Sequence, residues 1–457
     1  MTYTHSQDLS LLLLGTGTSS SLPSIGCLTN PISGCWCCRS TLLKDDPKYE
    51  SEYRKNERRN ISGMVRIPYE REGEARKERT ILIDCGKSFF SGAVEWWPKK
   101  NLREIDAVLL THAHADAILG LDDLRGWTLR GHIQESIPIY CTQETFDGVS
   151  KAFPYLTNMG QATGGGDIPA LTWHIIEPHS PFSLFGIEIL PLSVEHGKFF
   201  TTPPKPFLCT GFLINRQICY LSDVSKVPEE VYELLEDYVE VPTTSSDSRT
   251  TAKKTRAGKV EDKEKGGTIG NGNSLERGIE TLSLSHSSNP SPEEKIRKPS
   301  LQVLIVDCLR LEEFTSHFGL GQAIETIERL GAKKSYLIGF GHRTSHTSWL
   351  KACELLSTPS STSGFDSLSI DKPTFNDLYN GHPDPLKEDG EVFAKRAMQI
   401  VENHTSREGE GIGWEKGGKE RKWVRPSCDG MTIRVRKERA EVGDDEYDQE
   451  VEKEEEK

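Results

Sequence analysis

Residues 105–125 read IDAVLLTHAHADAILGLDDLR, an apolar run that stops at two histidines and an aspartate before a helical pattern starts. Residues 105–110 have the β-branched and aliphatic composition of a buried strand, whereas Ile118, Leu121, Leu124 and Trp127 recur at helical spacing. His112, His114 and Asp116 therefore occupy the turn between strand and helix. Alternate residues of an extended segment project to one side, so the two imidazoles can meet at one point while Asp116 reaches a second point nearby. Imidazole and carboxylate together suit zinc, manganese or iron, which makes this a metal-binding turn.

Outward from that turn the same arrangement recurs. Residues 80–85 (TILIDC) form a strand with Asp84 near its end, placed either as a turn-former or to orient a ligand histidine. Residues 187–192 lead into PLSVEHGK and His196, and residues 207–214 and 217–221 read as a hairpin whose second strand ends in Ser222-Asp223. Residues 301–306 end in Asp307, and residues 335–340 end in GFGHRTSH, which carries His342. Repetition of an apolar run ending in a ligand type strengthens each member. Upstream, residues 9–14 are a buried first strand that runs into GTGTSSSLPSIG, which is not a Walker loop because no Gly-Lys-Ser/Thr follows. Cys27, Cys35, Cys37 and Cys38 crowd together in the next segment, either as a structural zinc site or as buried free thiols.

The bulk properties are locally skewed. The chain has 457 residues, a hydrophobic fraction of 35%, a mean hydropathy of −0.52 and a formal charge of −13. Residues 441–457 hold ten acidic residues against two lysines, so most of the acidity sits in one stretch and argues for no general nucleic-acid-binding face. Eleven cysteines without the dense spacing of a secreted scaffold point to a reducing compartment, cytoplasmic and/or nuclear. The apolar run at 9–14 lacks a basic flank and is too short for a signal or a membrane span, so no membrane association is expected.

Composition divides the chain into an N-terminal half of one domain (1–240), a disordered insertion rich in Thr, Ser, Lys, Glu and Gly (241–300), and a C-terminal half of the same domain (301–436). Polar insertions fall near 357–390 and 404–422, residues 431–435 read as a last edge strand, and 437–457 read as an acidic disordered tail. In residues 311–334, Ala323, Ile324, Ile327 and Leu330 mark one face of a helix with Gly331 as its C-cap.

In order and spacing, LLLLGTGTS, the cysteine cluster, ILIDCG, THAHADAILGLDDLR, SVEHG, YLSDVS, VDCLR and GHRTSH resemble the metallo-β-lactamase superfamily. They are most similar to its cyclic phosphodiesterases of the phosphonate-degradation type and their eukaryotic relatives. The resemblance implies an α/β fold, a four-layer αββα sandwich with disordered insertions and a metal site at the mouth between the sheets. It implies one or two divalent metals, zinc or manganese, with His112, His114 and His196 on the first, and Asp116, Asp223 and His342 on the second. Asp223 would bridge the two. The family's further histidine after the aspartate is Ala117 here, which leaves the second position one ligand short. Cys35, Cys37, Cys38 and His346 correspond to a structural zinc site, with Cys27 as an alternative ligand. His317 lies where the subgroup carries an active-site histidine, implying a general acid or phosphate contact, and Asp116 would also orient the attacking water.

A divalent cation lowers the pKa of bound water toward ~7 and so supplies hydroxide at neutral pH. The expected activity is therefore hydrolysis of a small cyclic or linear phosphodiester, by a chain that could act as a homodimer. RNA processing, thioester or lactone hydrolysis and non-catalytic binding are the alternatives that the same fold hosts.

Overall fold

Apolar runs buried on both faces dictate a layered molecule. In the computed structural model, β2 (Leu9–Gly15) sends Leu9, Leu11 and Leu13 to one face and Leu12 and Leu14 to the other, and all five are buried. The structure describes residues 4–5, 8–30, 34–47, 50–70, 77–161, 168–241, 298–357, 390–407, 422–436 and 441–448, all within one compact unit. The insertions expected within 241–300, 357–390 and 404–422 fall mostly outside these residues.

The first sheet takes β1 (Thr4–His5), β2, β3 (Ser62–Glu70), β4 (Lys77–Ile83), β5 (Ala107–Leu109), β6 (Ile137–Cys141) and β7 (Leu171–Ile175). The second takes β8 (Phe182–Leu184), β9 (Ile187–Phe199), β10 (Lys205–Ile214), β11 (Ile218–Leu221), β12 (Val303–Asp307), β13 (Lys334–Ile338) and β14 (Val424–Pro426), paired in reverse order from β14 to β8. The chain then returns to the first sheet as β15 (Thr432–Arg436), antiparallel to β2, and β16 (Glu441–Asp444). Strands β4 to β7 are parallel, as are β11 to β14. In parallel sheets the crevice at the carboxyl ends of the strands is where ligands bind.

Leu11, Val65, Ile81 and Ile83 of the first sheet meet Phe212, Tyr220, Ile305 and Ile338 of the second in the central core. The first sheet's other face packs on Phe89, Ala93, Trp96 and Trp97 of the helix Phe89–Lys99. Helices Glu229–Tyr238, Leu320–Leu330, His346–Ser357 and Gly390–Arg407 cover the second through Leu235, Ile327, Trp349 and Ala397. The result is the four-layer αββα sandwich. Each such buried Leu, Ile, Val or Phe side chain contributes about 1.5–3 kcal/mol of transfer free energy.

Three local readings change. The helix expected after Asp116 breaks into Ala115–Ile118, a 3-10 turn at Leu121–Leu124, and Arg125–Thr128. The cause is docking: the Gly120 and Cys85 N–H groups donate to Cys85 and Ala117 carbonyls, tying this segment to the turn after β4. His196 lies inside β9, which continues to Phe199. Within residues 437–457, assigned by composition to a disordered tail, Glu441–Asp444 form β16 and Tyr447 is buried, its hydroxyl donating to the Pro426 carbonyl. Charge counting missed this because Asp444 lies under Tyr336 and Lys334, whose side chains bond to it at 2.7 Å and 3.4 Å.

Candidate metal centre

The turn after β5 is held from below. Asp84, at φ 59 after β4, is buried and accepts hydrogen bonds from the Thr111 N–H and hydroxyl, both at 2.8 Å. Gly86 follows because an added Cβ there would lie 1.7 Å from the Asp116 carbonyl oxygen. The Thr111 hydroxyl also lies 2.8 Å from His112 Nδ1. Donating to Asp84, it accepts the His112 Nδ1 proton, which leaves His112 Nε2 as a lone pair. That Nε2 is buried and has no hydrogen-bond partner among the described residues. Asp84 thus orients the histidine through Thr111 rather than by touching it.

His196 is fixed the same way, its Nδ1 donating to the Ser316 carbonyl at 2.6 Å. The rings of His112, His114 and His196 converge at centroid separations of 4.7, 5.0 and 5.1 Å. One ligand atom from each of these three lies within 4.8 Å of the others, and the same holds for His112, Asp116 and Asp223. Burial depresses His112 to about 3 and His196 to about 4, so both are neutral donors at physiological pH. Burial and the Asp223 charge push Asp116 up to about 6. For Asp223 burial opposes ionisation, but His112, His196 and His317 more than offset it and its pKa is lowered. Three converging imidazoles, one with a buried unpartnered Nε2, beside carboxylates are a donor set that fits zinc or manganese.

The second position differs from the sequence expectation. His342 is not there. His317 is, grouped with His196 and Asp223 within 4.8 Å. Its Nδ1 donates to Asp307 Oδ2 at 2.8 Å, and that oxygen also accepts the Val224 N–H at 3.0 Å. Burial opposes a charge on His317, but Asp307, Asp223 and Asp116 outweigh it and hold the imidazolium up to about 9. Asp307 ended an apolar run in the sequence, which was the available signal for its part. Ala117 is buried in the outer apolar layer of the first sheet.

His342 instead belongs to the cysteine cluster. Its Nδ1 lies 3.4 Å from Cys27 Sγ, 3.6 Å from Cys35 Sγ and 3.6 Å from Cys38 Sγ. Zinc–sulfur and zinc–nitrogen bonds of about 2.3 and 2.0–2.1 Å at tetrahedral angles give a sulfur–nitrogen edge of about 3.6 Å. The four side chains therefore stand at the spacing of a Cys3His zinc site. The hydrogen bond with Cys38 and burial push the Cys35 thiol up to about 12, so a coordinated cation is what would ionise the cluster. Cys37 and His346, expected as ligands, lie outside this group. His346 is buried, 3.2 Å from the Tyr447 hydroxyl through Nε2. The Cys-x2-Cys spacing of Cys35 and Cys38, which starts the helix Trp36–Ser40, was the signal that separates Cys38 from its neighbour Cys37.

Among the described residues no helix is long and apolar enough to cross a membrane. Residues 79–252 match the family model of the beta-lactamase superfamily domain. An octanoyltransferase of Porphyromonas gingivalis is 30% identical over 224 residues, 49% of this chain and 36% of that protein, so the chain spans about a third of that relative's length. Among solved structures, a diphosphatase from the PhnP family aligns over 76% of this chain and 90% of its own at 22% identity and a TM-score of 0.46. The metallo-beta-lactamase fold protein YhfI from Bacillus subtilis aligns over 94% and 100% at 12% identity and a TM-score of 0.44. Unliganded yeast PDE1 aligns over 93% and 98% at 11% identity and a TM-score of 0.43. The match to the beta-lactamase superfamily domain takes in most of β4 and all of β5 through β11, and strands outside it complete the αββα sandwich.

Proposed function

We propose that this chain is a metal-dependent hydrolase of phosphodiesters, with His112, His114, His196 and Asp223 as ligands of one tightly held divalent cation. The observation that carries the reading is the convergence of three imidazoles, with the Nε2 of His112 buried and unpartnered. When bound, zinc or manganese acidifies a water and offsets charge on the phosphate oxygens. Asp116, with a pKa near neutrality, orients that water and accepts its proton. His317 holds a proton on Nε2 because Asp307 engages Nδ1, and delivers it to the leaving oxygen. A second cation would find Asp116 and Asp223 but no residue in place of the histidine that Ala117 replaces, so it binds more weakly.

The substrate we assign is a small cyclic or linear phosphodiester. Cys27, Cys35, Cys38 and His342 hold a structural zinc in this reading, and eleven cysteines without a disulfide accord with a cytoplasmic or nuclear location. The test is hydrolysis of bis(p-nitrophenyl) phosphate together with elemental analysis. Metal in the purified chain and turnover that His112→Ala abolishes are expected. Less than one metal per chain, or turnover unchanged in the variant, overturns the proposal.

A further inference from the structure

Arg58, just before β3, is fully buried. A guanidinium keeps its charge wherever it is placed, and a buried charge is costly unless an opposite charge meets it. Among the described residues no carboxylate pairs with Arg58. Its Nη1 donates to the Gly341 carbonyl at 3.1 Å and its Nη2 to the Thr344 carbonyl at 3.2 Å, Nε has no partner, and Cζ stands 5.2 Å from the centroid of the Phe340 ring. Carbonyl dipoles and a ring face soften the cost of the charge without cancelling it.

The surroundings of Arg58 point to what does cancel it. The Gly341 and Thr344 carbonyls flank His342, the imidazole of the Cys3His group. On its other side the Arg58 carbonyl accepts the Leu22 N–H at 2.7 Å, and two residues further on the Ser24 N–H donates to Cys38 Sγ at 3.2 Å. Gly17 leaves room for this contact, since an added Cβ there would lie 2.7 Å from the Arg58 Cβ. Arg58 therefore joins the two segments that supply the cluster, one by its backbone and one by its guanidinium. The cluster would itself be charged when filled, because three thiolates outweigh a dication by one negative charge.

We propose that Arg58 is the buried counter-charge of the Cys27, Cys35, Cys38 and His342 zinc cluster, a positioning residue whose guanidinium sets how tightly the cluster holds a dication. This rests on the structural-zinc reading above. Empty, the cluster leaves Arg58 uncompensated, whereas filled, the two charges cancel. Opposite charges then hold the 339–344 loop, which passes over Asp307, against the N-terminal segment. Arg39 is the other cation at the cluster, but it is half-buried and its bond to the Asn30 carbonyl is exposed, so solvent screens it.

The test titrates cobalt into the metal-free full chain at fixed pH and follows the thiolate-to-cobalt charge-transfer band, which the three-histidine centre, having no cysteine ligand, does not give. Arg58→Gln keeps donors for the loop carbonyls but no charge, and should weaken cobalt binding at the cluster by about tenfold or more. Arg58→Lys keeps the charge and should stay within about threefold of wild type, as should Arg39→Gln. Wild-type affinity in Arg58→Gln, a Lys chain as weak as the Gln chain, or an equal loss in Arg39→Gln overturns the counter-charge. Arg58→Met replaces Arg58→Gln if the latter does not fold. Cys35→His isolates the charge, because two thiolates around a dication leave none. In that chain Arg58→Gln should cost nothing, and an undiminished loss, which would mark packing alone, overturns the proposal. A wild-type chain without the band refutes the zinc reading itself, an outcome distinct from a band whose titration ignores Arg58.

Discussion

At the scale of single residues, the tautomer of His112 governs the candidate centre, and it is set two residues away. Asp84 takes both hydrogens of Thr111, so the Thr111 oxygen can only accept from His112 Nδ1. Asp84→Asn removes that certainty, because a carboxamide can present a donor to the hydroxyl. We expect about a tenfold to hundredfold loss of metal affinity, measured by competition with a chelating dye. His317 and Asp307 form the other residue-level unit. His317→Gln should lower kcat by about 10²–10⁴-fold, the typical worth of a positioned acid, while leaving the cation of the three-histidine position bound. Asp307→Asn keeps an acceptor for His317 Nδ1 but removes the charge that raises its pKa to about 9. A lower pKa means that the proton is lost earlier as pH rises, so the alkaline limb of the kcat profile should move to lower pH. A limb that stays in place would show that another group donates the proton.

At the scale of elements, the loop after β13 matters most. It begins at Gly339, whose φ is 88 and whose added Cβ would lie 2.6 Å from Asp307 Oδ1, so glycine alone lets the loop pass over that carboxylate. Beyond it the Gly341 N–H bonds the Leu309 carbonyl, and His342 reaches the cysteines of the N-terminal segment. A zinc there would tie the segment around residues 16–38 to the loop beside Asp307. Cys35→Ser should release one zinc equivalent and lower the melting temperature, by about one degree for each kcal/mol lost in a chain of this length. Retention of all zinc in that variant would contradict the ligand set. The β9–β10 hairpin is the second such element, since its placement in the second sheet carries both His196 and Phe207 to the centre.

At the scale of the whole molecule, metal uptake should depend on pH in two stages. A proton competes with a cation for each ligand, and a low ligand pKa means weak competition. His112 and His196, at about 3 and 4, leave the three-histidine position receptive well into acid. Asp116, raised to about 6, is protonated as pH falls below 6 and closes the second position first. In the Cys35→Ser chain, which lacks the structural zinc, one metal equivalent should therefore be lost near pH 6 and the other kept toward pH 4, and joint loss in a single step would refute the assignment. The C-terminal strand also acts at this scale. Truncation after residue 436 removes β16 and the buried Tyr447, whose ring alone is worth about 3–5 kcal/mol, and should visibly lower the denaturant midpoint.

The sequence by itself determined the αββα layers through its resemblance to the metallo-β-lactamase superfamily, while the apolar runs at residues 11–14, 81–83 and 303–306 marked strands buried on two faces. The same resemblance implied that His112, His114, His196 and Asp223 would share one place, and ligand atoms of His112, His114 and His196, and of His112, Asp116 and Asp223, lie within 4.8 Å of one another. Only the tertiary structure decided which ligands serve which cation. Where His317 and His342 end up depends on the paths of the loops after β12 and β13. The Gly339 turn carries His342 to Cys27, Cys35 and Cys38, while the Asp307 bond holds His317 beside Asp223. Loop direction is set by contacts between segments hundreds of residues apart, and no local pattern in the chain encodes it.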